Sequence, residues 1–101
     1  MHIELARSGG MAGLTVAVSV DTAGLPPETA DVVVSALDDV DLAELAARPR
    51  PRRAARGADR YQYDLTVERD GNRHALRFAE TDVPPELRPV IDALVPLASP
   101  R

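Results

Sequence analysis

The chain has no cysteine, no tryptophan and no lysine, and its aromatic side chains are limited to Tyr61, Tyr63 and Phe78. Without cysteine there is no disulfide scaffold, no thiolate zinc site and no thiol nucleophile. Three scattered rings leave no platform on which bases could stack, which argues against single-stranded nucleic acid as a ligand. No apolar run approaches the ~20 residues that cross a bilayer. Residues 1–10 lack the basic-then-apolar order of an export signal. The net charge of −4 also disfavours polyanionic partners. No nucleic-acid or membrane partner is therefore expected, and a cytoplasmic location is.

What remains is an ordinary globular composition, 45% apolar and 28% charged in 101 residues, enough for one domain with one core. All twelve basic residues are arginine, and six of them crowd into residues 48–60.

Alternation and helical spacing give the element order. Residues 2–8 read as a strand, with Ile3 and Leu5 alternating against His2, Glu4 and Ala6. Residues 14–20 read as a second, with Leu14, Val16, Val18 and Val20 on one face. Ser8-Gly9-Gly10-Met11-Ala12-Gly13 joins them, and three glycines in six residues predict a hairpin loop longer than the tightest turns. Leu25-Pro26-Pro27-Glu28 starts a helix, because proline is tolerated in a first turn whose N–H groups are unpaired. Ala30, Val33, Val34 and Leu37 form its apolar stripe, and the helix is expected to end near Leu37. Asp38, Asp39 and Asp41 sit badly at a helix C-terminus, where the macrodipole is negative. Residues 41–45 add a short turn of helix.

Residues 48–58 contain Pro49 and Pro51 and no apolar period, and are expected to form an exposed, mobile Arg/Pro-rich loop. Residues 60–69 form the clearest strand, with Tyr61, Tyr63, Leu65 and Val67 on one face. Asp70-Gly71 marks a tight turn into a strand over 73–79, where His74, Leu76 and Phe78 share a face. Val83-Pro84-Pro85-Glu86 starts a second helix striped by Leu87, Val90, Ile91 and Leu94. Pro89 belongs in the first turn of its regular part, since deeper in it would clash. Pro96 ends this helix, and residues 96–101 are expected to fray. The recurrence of Pro-Pro-Glu is consistent with an ancestral duplication, and equally with two helices that need the same start.

The predicted architecture is α+β: a four-stranded antiparallel sheet with two helices packed on one face, in the order ββα–loop–ββα. Strand order in the sheet is left open.

No catalytic constellation emerges. His2 and His74 stand in no metal-ligand spacing, and the Asp38–Asp41 cluster lacks the frame of a calcium loop. The glycine-rich segment joins two strands and opens no helix, so it holds no phosphate on a dipole. The chain is read as a non-enzyme with no cofactor and no metal. Two features stand out beyond the scaffold: the small-residue hairpin tip with a lone Met11, and the arginine segment.

Four pieces together resemble the emfourin family, small protein inhibitors of thermolysin-like metallopeptidases such as protealysin. Residues Arg7-Ser8-Gly9-Gly10-Met11-Ala12-Gly13 are similar to that family's first hairpin, with Met11 where an aromatic residue is common. Leu25-Pro26-Pro27-Glu28 is similar to its first helix start, residues 57–67 to its third strand, and Pro85-Glu86-Leu87-Arg88-Pro89 to its last helix. The resemblance implies a single inhibitor-like domain over 1–101, acting as a monomer in the cytoplasm and occluding a zinc peptidase cleft. Ser8, Gly9, Gly10, Met11, Ala12 and Gly13 would contact the peptidase. Arg50, Arg52, Arg53 and Arg56 would steer association. The alternative is a non-inhibitory adaptor that binds a protein or an acidic partner through the arginine segment.

Overall fold

A computed structural model describes residues 1–9, 15–47 and 61–100. Strands β1 (His2–Gly9) and β2 (Val16–Asp21) are followed by helices α1 (Pro27–Asp38) and α2 (Leu42–Ala47). Strands β3 (Tyr61–Arg69) and β4 (Asn72–Ala79), helix α3 (Arg88–Leu94) and a two-residue strand β5 (Ser99–Pro100) complete the order. Short 3-10 turns lie at 22–24, 80–82, 85–87 and 95–97.

The architecture is α+β with an antiparallel sheet, and the sheet has five strands in the order β4-β3-β1-β2-β5 rather than the four expected. The fifth comes from residues expected to fray. After Pro96 the chain turns once more, and Ser99 and Pro100 pair with Ala17 and Val16. Proline is admitted there because an outer strand needs no outward N–H.

The first strand of the sequence lies at the centre of the sheet. Leu5 faces Val18 on one side and Leu65 on the other, and Arg7 faces Val16 and Tyr63. The core follows the alternation. Ile3, Leu5, Tyr63, Leu65, Val67, Leu76 and Phe78 are buried on one sheet face in a single cluster with Val33, Leu37, Leu42, Leu45, Leu87, Val90, Ile91 and Leu94 from the helical layer. Burying a side chain of this kind contributes about 1.5–3 kcal/mol, so packing holds α1 despite its β-branched run. α1 packs on α3, and α2 lies against β4.

Both Pro-Pro starts behave alike. Pro26 (φ −53°, ψ 142°) and Pro84 (φ −57°, ψ 138°) are extended, and Pro27 and Pro85 open the turns that follow. The second start makes only a 3-10 turn before α3, whose own first turn holds Pro89. A proline there removes no helical hydrogen bond. The aspartates at the end of α1 and just beyond it serve two different purposes. Asp38 closes α1, whereas the Asp41 side chain accepts from the backbone N–H of Glu44 at 3.0 Å and caps the start of α2.

Candidate functional site

β1 leaves the sheet at Gly9, whose φ of 98° is a conformation that a side chain rarely permits. The last β1–β2 pair is Arg7 with Val16, so the connection is long, as the glycine-rich segment predicts. Gly9 also stands opposite Tyr61, the first residue of β3. The chain therefore leaves β1 and enters β3 at the same end of the sheet. The other end carries the tight turn, where Asp70 (φ 52°) and Gly71 (φ 78°) are both left-handed, as a two-residue hairpin requires.

Of the residues read as a peptidase contact, the structure places Ser8 and Gly9, the last two residues of central strand β1. Gly10, Met11, Ala12 and Gly13 lie outside the described residues, as do Arg50, Arg52, Arg53 and Arg56.

At the root of this hairpin the Arg7 guanidinium lies over the Tyr61 ring, 4.3 Å from its centroid. Both side chains are half-buried. Arg7 continues the inward column of Ile3 and Leu5, and Tyr61 begins that of Tyr63, Leu65 and Val67. The pair closes the core at the hairpin end. Inspection of the strands one at a time misses it, although an arginine in phase with Ile3 and Leu5 is the visible signal.

The opposite sheet face is open and polar. Its carboxylates on β3 and β1 pair with arginines of β4. Arg77 Nε donates to Asp64 Oδ1 at 2.7 Å, and Arg73 Nη1 donates to Glu68 Oε1 at 2.6 Å while Nη2 lies 3.6 Å from Glu4 Oε2. A shallow hollow of about 370 Å³ lies among Glu4, Ala6, Ala17, Ser19, Asp64 and Thr66. His2 Nε2 sits 3.0 Å from Ser19 Oγ at its margin. His74 is half-buried beside Val67, as its place with Leu76 and Phe78 predicts. Among the described residues no three His, Asp or Glu side chains are grouped to hold a metal, and no helix is long and apolar enough to cross a membrane.

The module is thus a helix-backed antiparallel sheet whose central strand runs out into one long hairpin. The family model described as Emfourin matches residues 5–95, and the chain belongs to that family. The match takes in the whole of α1, α2, β3, β4 and α3 and the Ser8–Gly13 segment. The family is one of inhibitors, which gives the chain a protease-inhibitor-like role and a protease as its general class of partner. No curated protein and no solved structure matches the chain.

Proposed function

We propose that this protein inhibits a thermolysin-like zinc metallopeptidase, acting as a monomer in the cytoplasm and seating the residues that follow Gly9 in the active-site cleft. The observation that carries the reading is the Emfourin match across residues 5–95. The geometry of β1 supports it. An inhibitor that presents a loop to a cleft must hold that loop's root still, because ordering it on binding subtracts from affinity. β1 is paired with β3 from His2 to Gly9 and with β2 from His2 to Arg7, and Gly9 supplies the left-handed turn out of the sheet. Nanomolar affinity corresponds to about −12.3 kcal/mol, more than one side chain provides. A pre-ordered root would lower the ordering cost that stands against such an affinity. Met11 is the side chain best suited to an irregular apolar subsite, being unbranched and polarisable.

The test is direct. Titrate the protein against a panel of thermolysin-like peptidases with a short peptide substrate. The reading expects stoichiometric loss of hydrolysis in at least one and an inhibitor that survives the incubation uncut. No inhibition at micromolar protein across the panel overturns it.

A further inference from the structure

Each end of the inward face of the sheet is closed by an arginine, and the two are used differently. Arg69 spends its guanidinium on the Leu37 carbonyl. Arg73, Arg77 and Arg88 likewise each reach an oxygen of this chain. Among the described residues, Arg7 meets the Tyr61 ring and no oxygen. It also breaks the alternation, taking an inward position where Ile3 and Leu5 precede it. An inward position that breaks the apolar pattern and leaves its N–H donors without an oxygen among the described residues is where function is expected.

We infer that Arg7, held over the Tyr61 ring, is the polar anchor of the inhibitory surface and takes a carboxylate of the peptidase at the rim of its cleft. The inference rests on the inhibitor reading and gives it a partner chemistry. The Tyr61 ring engages the guanidinium at 4.3 Å from its centroid and takes none of its N–H donors to an oxygen, so those donors stay available to grip a carboxylate with two parallel hydrogen bonds. Tyr61 stands opposite Gly9, where no side chain competes for the space, so the ring fixes the arginine before any partner arrives. Arg7 lies two residues before the chain leaves the sheet. A peptidase that covers the residues after Gly9 therefore also covers Arg7 and excludes water from it. Under those conditions an arginine already committed to an aromatic ring loses little freedom when it pairs.

The experiment compares wild type, R7Q, R7K and Y61L against the peptidase of the panel that wild type inhibits most tightly. Inhibition constants are measured at low and high salt, with dissociation rates and thermal midpoints. The expected result is at least a tenfold rise in the inhibition constant for R7Q, carried mainly by faster dissociation, with the thermal midpoint lowered by no more than the few degrees that loss of the Tyr61 contact explains. R7K should recover only part of the loss, because an ammonium has no two-pronged edge. Y61L should weaken inhibition less than R7Q, since it frees the arginine without removing it. An unchanged constant for R7Q overturns the inference while wild-type inhibition leaves the inhibitor reading standing. A loss that merely follows a fallen thermal midpoint, or full recovery by R7K, also overturns it. Failure of wild type across the panel overturns both.

Discussion

Arg69 Nη1 donates to the carbonyl oxygen of Leu37 at 3.1 Å, so the last turn of α1 is closed by a side chain from β3. The same nitrogen lies 3.8 Å from Asp38 Oδ1. Asp38 is mostly exposed, so that ion pair contributes little, and the hydrogen bond to the carbonyl matters more. The contact resolves a conflict in the sequence, where acidic residues crowd the negative end of a helix dipole. A cation from the sheet offsets them.

Arg69→Met should therefore destabilise the fold by about 1–3 kcal/mol, the cost of leaving a part-buried acceptor without its donor. In a domain of this size each kcal/mol lowers the thermal midpoint by about 4–8 °C. Inhibition by the folded fraction should be unaffected, since Arg69 and Gly9 lie at opposite ends of the sheet. Thermal unfolding followed by circular dichroism checks the first statement. A midpoint equal to wild type would mean that water replaces the guanidinium.

Two glycines make a controlled pair. A Cβ added at Gly71 or at Gly24 meets nothing within 4 Å, yet only Gly71 has a left-handed φ, at +78°. Gly71→Ala should cost about 1–2 kcal/mol from backbone strain alone. Gly24→Ala should be neutral or gain up to about 1 kcal/mol by restricting the unfolded chain. Denaturant midpoints of the two variants should move in opposite directions or differ by at least the strain.

Met11→Asp tests the proposed contact. A carboxylate carried into an apolar subsite would be desolvated, and binding should weaken by about 2 kcal/mol or more, roughly thirtyfold in the inhibition constant. Stability should change by no more than about 0.5 kcal/mol if Met11 acts through the peptidase alone. Equal inhibition by a folded variant would take Met11 out of the interface.

Replacing Arg50, Arg52, Arg53 and Arg56 together with serine addresses the proposed steering. The expected outcome is a slower association rate whose difference from wild type shrinks at high salt, with dissociation unchanged. A large change in the dissociation rate would instead make this segment a direct contact and favour the adaptor reading.

Strand and helix identities were legible because one face of each element is buried. The alternation through Tyr61, Tyr63, Leu65 and Val67 and the stripe of Val33 and Leu37 both follow from that. The Asp70-Gly71 turn was legible because only a few residue pairs tolerate two left-handed angles. Strand order was not, because β1 and β3 are joined through a long stretch of sequence and pair by register rather than by a turn. Ser99 and Pro100 carry no periodicity, so β5 was invisible. The Arg7–Tyr61 pair required knowing which strand lies beside β1, and only Arg7's inward phase hinted at it. Asp41 looked like an unfavourable helix end because it was grouped with Asp38 and Asp39, although it opens the short turn read over 41–45 and caps it.

The central position of β1 also sets an order of assembly. His2 pairs with Asp21 on one flank and with Glu68 on the other. On the ribosome the first flank can close early, but the second waits until Glu68 has been made. Until then the strand that leads to Gly9 has an unpaired edge and an uncovered apolar face. Pairings so distant in sequence slow folding, since the intervening chain must be closed into a loop before the contact is gained. The nascent chain would thus leave one edge and the apolar face of β1 exposed until β3 emerges, with Ile3 and Leu5 open to a ribosome-associated chaperone in the interval.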